Sequence, residues 1–355
     1  MNIQDFSETR KIGVIGGGSW GTAISLLLAS KGYEVDLWVY EKELAREIEI
    51  KRENSVYLPG FKIPELIQPH NSLEKVIFGK KILFSVIPSH VLRETIIKFL
   101  HLLEHNVWII SATKGIETGT SKRMTEIYEE LLPSDYSYEL AVLSGPTFAL
   151  EVAKRSPTAA VISSYNVGVI KCLQRMIHTD FFRLYTNHDP IGVELGGAVK
   201  NVMAIASGIS DGIGYGNNTR AAIITRGLAE IMRLGIALGA DPLTFSGLAG
   251  LGDLVLTCTS NLSRNYSVGF RIGQGESIKN ILASMQMVAE GIRNAESVLA
   301  LGEKYTVELP IIRQVYAILF QDKDPHKAML SLMAREPKYE SVTITRNIQN
   351  HEKNQ

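Results

Sequence analysis

Along the first half of the chain, apolar runs alternate with stretches in which apolar residues recur three and four positions apart. The runs predict strands at Lys11–Gly16, Glu34–Val39, Lys81–Ile87, Val107–Ala112, Leu140–Ser144 and Thr158–Ser163. The intervening periodicity predicts helices at Glu41–Arg52, His90–Leu103, Ser121–Leu132 and Asn166–His178. Such alternation builds an α/β fold with a parallel, doubly wound sheet and helices on both faces. After Asn187-His-Asp-Pro190 helical spacing takes over, at Thr219–Leu238, Met287–Leu301 and Ile311–Phe320. The pattern therefore predicts an α/β domain over residues 1–190 and an all-α domain over 191–345, with His351–Gln355 frayed.

The first strand runs straight into Gly16-Gly-Gly-Ser-Trp-Gly21, with Gly16, Gly18 and Gly21 in G-x-G-x-x-G spacing. In a dinucleotide-binding turn Gly16 permits the tight bend, Gly18 lets backbone approach a pyrophosphate, and Gly21 lets helix and strand pack closely. The helix through Thr22–Ser30 then aims its first N–H groups at the phosphates. An ordinary strand–turn–helix is the alternative, but the apolar strand before, the Ala/Leu-rich helix after and a second strand beyond supply the context of a Rossmann-type domain. The implied cofactor is NAD(H) or NADP(H). At the end of the second strand, Leu37-Trp-Val-Tyr-Glu-Lys42, Tyr40 offers a stacking face for adenine. Glu41 falls about twenty residues after Gly21, where an acid accepts from the ribose 2′-hydroxyl and repels a 2′-phosphate. Asp36 competes for that role but lies mid-strand, and Lys42 and Arg46 are close enough to reach back to a phosphate. NADH is expected to be preferred, with some NADPH activity.

Composition narrows the setting. The 355 residues suit two domains, and 45% hydrophobic with 21% charged residues supports a large packed core. Zero formal net charge removes a global electrostatic case for nucleic acid or an anionic membrane. Cys172 and Cys258 are the only cysteines, with no CxxC, which fits a reducing cytoplasmic compartment. Met1–Arg10 has no apolar signal core, and Val193–Ser210, laced with glycine and carrying Glu194 and Lys200, does not read as a membrane span.

Isolated charges mark the second domain. Lys200 is the only charged residue from Leu195 to Ser210, and Asp253 the only one from Pro242 to Leu262. A charge in so apolar a segment costs several kcal/mol unless paired or used. Either these two form a buried structural ion pair, or both face a cleft where desolvation lowers the lysine pKa into the range useful for proton transfer. Asn201 adds an amide, and Ser263-Arg264-Asn265 combines hydroxyl, guanidinium and amide, a set suited to phosphate or, more blandly, to a surface helix cap. Lys114 follows the strand Val107–Ala112, at the carboxyl end where open sheets bind ligands, and Ser144-Gly-Pro-Thr-Phe-Ala149 occupies the equivalent place after another strand. As structural residues, Lys114 is a solvated loop lysine and Thr147 a helix cap. His101 and His105 lie one helical turn apart without the HExxH order or an evident third ligand, so no metal site is expected. Asp211–Asn217 lacks the acidic spacing of a calcium loop and reads as a connection between helices, and no G-x-S-x-G elbow occurs.

Over about residues 10–340 the chain resembles the NAD(P)-dependent sn-glycerol-3-phosphate dehydrogenases of bacterial type. The resemblance lies in Gly16–Ala23, Ser111-Ala-Thr-Lys-Gly115, Ser144–Ala149, Glu194–Asn201, Ala249-Gly-Leu-Gly-Asp-Leu254 with Thr257-Cys-Thr259, and Ser263–Asn265. It implies reversible hydride transfer between NAD(P)H and dihydroxyacetone phosphate giving sn-glycerol 3-phosphate, a feed for glycerophospholipid synthesis. It further implies Lys200 as proton donor and acceptor, with Lys114 and Asp253 beside it. Lys114, Gly145, Thr147, Asn201, Asp253, Ser263, Arg264 and Asn265 resemble substrate contacts; Ser19, Trp20, Ala149, Arg264, Val288 and Glu290 resemble cofactor contacts, joined by Lys114. The family's site lies between the two domains, needs no metal, and often belongs to a homodimer. Many bacterial members carry His or Arg where this chain has Tyr40. Two alternatives are another two-domain hydroxyacid or 6-phosphogluconate-type dehydrogenase, and a dinucleotide sensor without catalysis.

Overall fold

The computed structural model describes residues 9–285, 289–337 and 339–340. Strand β1 (Lys11–Ile15) is buried from Ile12 onward and leads through the glycine turn into α1 (Ser19–Ser30). Then follow β2 (Glu34–Trp38), α2 (Lys42–Lys51), a hairpin of β3 (Glu53–Asn54) and β4 (Leu58–Lys62), β5 (Ile67–His70), α3 (Leu73–Ile77) and β6 (Ile82–Ser85). Next come α4 (Leu92–Phe99), β7 (Val107–Ser111), α5 (Met124–Leu131), β8 (Tyr138–Ser144), α6 (Ala149–Ala153), β9 (Thr158–Ser163), α7 (Val167–Ile177) and β10 (Phe182–Asn187). Eight strands form one sheet in the order β10-β9-β8-β7-β6-β1-β2-β5. Chain order reverses between β1 and β6, the switch point at which doubly wound sheets bind ligands.

The α/β class with a helical second half is as expected, but the sheet is not wholly parallel. Strands β8 and β9 pair antiparallel, with Leu143 opposite Ile162. Only the five-residue α6 lies in their connection. It rises about 7.5 Å, against roughly 23 Å for the seven-residue β8, so the chain is not carried back to run parallel. Both sheet edges, β5 and β10, escaped the reading of apolar runs. Strand β5 is four residues long and contains Pro69, tolerated because an edge leaves its missing N–H unchallenged. In β10, buried Phe182 and Leu184 alternate with exposed Arg183 and Tyr185, so the strand lacks a continuous run.

Helices cover both faces. Ile24, Leu27 and Leu28 of α1 pack with Leu44 and Ile48 of α2 and Leu173 of α7 on one side; Leu92 and Ile96 of α4 pack with Ile127 and Tyr128 of α5 on the other. The second half winds around α8 (Pro190–Ile213), whose side chains are buried along most of its 24 residues. Asp189 caps it by accepting from the Gly192 N–H at 2.8 Å, and Gly214, at φ 98°, ends it. Around it lie α9 (Asn217–Ala237), α10 (Asp253–Thr259), α11 (Arg264–Gly273), α12 (Ile278–Ser284), α13 (Glu290–Lys304), α14 (Pro310–Phe320) and α15 (Pro325–Met333). The connection expected over Asp211–Asn217 shrinks accordingly: Asp211 belongs to α8, pairs with Arg220 at 2.7 Å and accepts from the Tyr266 hydroxyl at 2.7 Å. The helix expected from Met287 begins at Glu290. Met287 and Val288, like His351–Gln355 and residues 341–345, lie outside the described residues.

Candidate active site

Three elements converge on one carboxylate. Asp253 opens α10, wholly buried, where its segment leaves the turn at Leu248–Gly252. One of its oxygens accepts from Lys200 Nζ on α8; the other accepts from Lys114 Nζ at 2.8 Å, from the loop after β7. Lys200 donates also to Thr257 Oγ1 at 2.8 Å, one helical turn beyond Asp253, and Thr257 in turn donates to the Asp253 carbonyl at 2.6 Å. Lys114 reaches the Gly145 carbonyl at 2.9 Å and Thr147 Oγ1 at 3.4 Å. The loops after β7 and β8 are thereby joined to the helical half.

The two sequence alternatives for Lys200 and Asp253 are therefore not exclusive. They do form an ion pair, but Lys114 makes it a triad with an excess positive charge, receptive to an anion. Burial pulls the Lys200 amine down to about 8; Asp253 opposes that fall and the like charge of Lys114 adds to it. A Cβ on Gly197 would lie 2.7 Å from Ser144 Oγ and 3.5 Å from Lys114 Cγ, so glycine lets α8 approach these loops without displacing the Ser144 hydroxyl. The buried Ser144 hydroxyl has no hydrogen-bond partner among the described residues.

Asn201 follows Lys200 on α8. Its Oδ1 accepts from Asn265 Nδ2 at 3.0 Å, while its own Nδ2 has only a 3.5 Å contact to the Gly197 carbonyl, leaving a donor for a ligand oxygen. Asn265 is further fixed by accepting from the Gly291 N–H at 2.9 Å. Ser263 caps α11 by accepting from the Tyr266 N–H at 3.2 Å, which matches the bland reading of that residue. Arg264 is exposed on the first turn of α11, where guanidinium and helix N-terminus together favour an anion. Glu290 begins α13 and accepts from Ser89 through N–H at 3.2 Å and hydroxyl at 2.5 Å. Its charge attracts Arg264.

At the glycine turn, Gly16 has φ 126°, and a Cβ on Gly21 would lie 1.7 Å from the Gly16 carbonyl. Above Gly18 a Cβ would meet nothing within 4 Å, and no side chain caps the first N–H groups of α1. Trp20, partly buried beside the turn, has an indole N–H without a partner among the described residues, and Ser19 opens the helix. An open approach to a helix start that no side chain caps fits a dinucleotide pyrophosphate. Ala149 starts α6 and packs against the same core as Trp20. Tyr40 and Glu41 stand at the end of β2, apart from the lysine triad, with Tyr40 71% exposed. Asp36 is committed elsewhere, to Lys80 at 2.8 Å and His70 at 2.9 Å.

Sequence reading quoted Thr257 only as part of a motif, without a role, and passed over Ser89 and Asn294. Asn294, wholly buried on α13, accepts from the Ile116 N–H at 3.3 Å and donates to the Ala198 carbonyl at 3.0 Å, tying the Lys114 loop to α8. His105 stacks on Tyr136 at 4.5 Å between centroids. Among the described residues no group of three or more His, Cys, Asp or Glu is placed to hold a metal, and no helix is long and apolar enough to cross a membrane.

A phosphate-receptive turn at the switch point of a doubly wound sheet, combined with a buried amine from a helical half, belongs to the two-part dinucleotide-dependent oxidoreductases. Residues 11–169 match the family model for the NAD-dependent glycerol-3-phosphate dehydrogenase N-terminus, and residues 189–330 that for its C-terminus. A curated glycerol-3-phosphate dehydrogenase (NAD(P)+) from Citrifermentans bemidjiense is 52% identical over 332 residues, 94% of this chain and 99% of the relative. Another of that name from Syntrophobacter fumaroxidans is 49% identical, covering 93% of this chain and 97% of the relative. The crystal structure of glycerol-3-phosphate dehydrogenase from Coxiella burnetii superposes with TM-score 0.89 at 41% identity, over 92% of this chain and 99% of that one. The chain belongs to the NAD(P)-dependent glycerol-3-phosphate dehydrogenase family and is an oxidoreductase of that activity.

Proposed function

We propose that residues 1–190 bind the dinucleotide, residues 191–345 carry the substrate, and the Lys200–Asp253–Lys114 triad performs the proton chemistry of dihydroxyacetone phosphate reduction to sn-glycerol 3-phosphate. The observation that carries this reading is one buried carboxylate shared by two lysines from different halves of the chain. The first turn of α1 with Gly16, Gly18, Ser19, Trp20 and Gly21 would hold the cofactor, flanked by Tyr40, Glu41, Ala149 and Glu290. When bound, reduced nicotinamide supplies the hydride for the carbonyl carbon. Lys200, protonated, stabilises the charge growing on the carbonyl oxygen and then gives it a proton. In the oxidation direction neutral Lys200 takes the hydroxyl proton. Asp253 and Lys114 orient the amine, Asn201 Nδ2 donates to a substrate oxygen, and Arg264 with the N-terminus of α11 anchors the phosphate.

The same reading makes the enzyme cytoplasmic, a homodimer, a source of glycerol phosphate for glycerophospholipids, and without a nucleic-acid or membrane partner. Loss of reduced-nicotinamide absorbance with dihydroxyacetone phosphate, 2-keto acids and 6-phosphogluconate as paired substrates and controls tests the assignment. Turnover confined to dihydroxyacetone phosphate is expected. Turnover confined to a keto acid, or cofactor binding without turnover, would replace the reading with another dehydrogenase or a sensor.

A further inference from the structure

The hairpin formed by β3 and β4 has no part in the triad, yet it touches the cofactor half at two separated places. Asn54 is wholly buried; its Nδ2 donates to the Gly17 carbonyl and to Thr22 Oγ1, each at 2.9 Å. Its Oδ1 accepts from the Tyr57 N–H at 3.0 Å, so both ends of the amide are in use. Three residues on, the Tyr57 hydroxyl donates to Glu41 Oε1 at 2.7 Å. Ser55 adds a third tie, donating to Glu47 Oε1 on α2 at 2.8 Å. One short hairpin thus measures the separation between the glycine turn and the acid at the end of β2.

We propose that Tyr57 is a specificity-setting positioning residue: it pins the Glu41 carboxylate at a fixed distance from the glycine turn, so that the chain favours NAD(H) over NADP(H). This rests on the reading of Glu41 as the residue that meets the adenosine ribose. Glu41 is the residue before α2, and no side-chain cap holds that helix. Unpinned, its side chain would rotate away from a 2′-phosphate and let Lys42 or Arg46 approach that dianion. With Oε1 taken by Tyr57, Oε2 remains to accept from a ribose hydroxyl, and the negative charge cannot retreat. The Glu41 carboxylate also pushes Tyr57 ionisation up to about 12, a mark of the contact that can be read without any ligand.

The test is direct binding of NADH and of NADPH, followed by nicotinamide fluorescence without substrate, to wild type, Tyr57→Phe, Glu41→Gln and the double variant. Wild type is expected to bind NADH more tightly. Tyr57→Phe should narrow the NADPH-to-NADH ratio of Kd values by about five- to tenfold, the size of one typical net hydrogen bond. Glu41→Gln should abolish the preference, and adding Tyr57→Phe to it should change nothing more. In ultraviolet titration, Glu41→Gln should also bring the tyrosinate absorbance of Tyr57 in at lower pH. If Tyr57→Phe keeps the wild-type ratio while Glu41→Gln alters it, Glu41 reads the ribose unaided and the proposal fails. A ratio unmoved by Glu41→Gln, or a wild type indifferent to the two cofactors, overturns the Glu41 reading itself. Tyr57→Phe removes only a hydroxyl at an exposed contact, and an unchanged Tm confirms that the fold is not what the ratio reports.

Discussion

Burial removes water from the Lys200 ammonium and Lys114 repels it, while Asp253 attracts it; burial wins and the amine falls to about 8. Reduction of the ketone needs the protonated amine, so its kcat/KM should decline as pH rises through about 8. Oxidation needs the neutral amine and should rise through the same range. Opposite limbs in the two directions are the expected profiles; a limb of the same sign in both would remove Lys200 from the proton step. Lys200→Ala should lower kcat by about a hundredfold or more while NADH still binds, and near-wild-type kcat would end the assignment. Arg264→Ala should mainly raise KM for dihydroxyacetone phosphate, because an anchor on the phosphate holds ground and transition states alike. An unchanged KM would move the anchor elsewhere. Lys200 and Asp253 were legible in the sequence because each is the lone charge of a long apolar stretch. Ser89 and Asn294 were not, and Thr257 entered only as part of a motif, since a small polar side chain gives no sign of its role until its partner is known. Ser89 and Glu290 are 201 positions apart.

Between elements, α8 and α11 approach closely, glycine against backbone. A Cβ on Gly208 would lie 2.1 Å from the Tyr266 carbonyl, and one on Gly269 2.1 Å from that of Ile205. Backbones this near hold Asn265 against Asn201 at 3.0 Å. Gly269→Ala has no flexible side chain to displace and must part the helices, costing about 1–3 kcal/mol and shifting the Asn201 amide. Urea unfolding should report the loss, and KM for the ketone should rise with it; unchanged stability would mean that the contact relaxes freely. At this scale the inner strands were legible because residues buried on both faces leave unbroken apolar runs. The edge strands were less so, because β5 is short and proline-bearing and β10 is apolar on one face only. The antiparallel β8–β9 pair depends on how far a connecting segment reaches, which periodicity does not report.

Across the whole molecule, the contacts that bind the sheet to the helical half include the triad, Asn294 on α13, Ser89 with Glu290, and a buried ion pair at the start of α5. There Arg123 Nη1 meets Glu194 Oε2 on α8 at 2.7 Å, and Glu194 also accepts from the Thr125 N–H at 2.9 Å and its hydroxyl at 2.6 Å. Both side chains are at least nine-tenths buried, with exposures of 10% and 2%. Removing the guanidinium strands a carboxylate inside α8, one turn and a half before Lys200. Breaking such a pair costs about 3–5 kcal/mol, and the two remaining Thr125 donors offset part of it. Arg123→Ala should therefore lower Tm by roughly 5–10 °C for a chain of this size. Arg123→Lys, which keeps the charge but not the fork, should fall between. Catalysis below the transition should survive, because the triad does not include Arg123. Calorimetry of the three proteins decides the matter. A Tm for Arg123→Ala equal to wild type would mean that the pair does not hold the halves together, leaving the other contacts between them to do so.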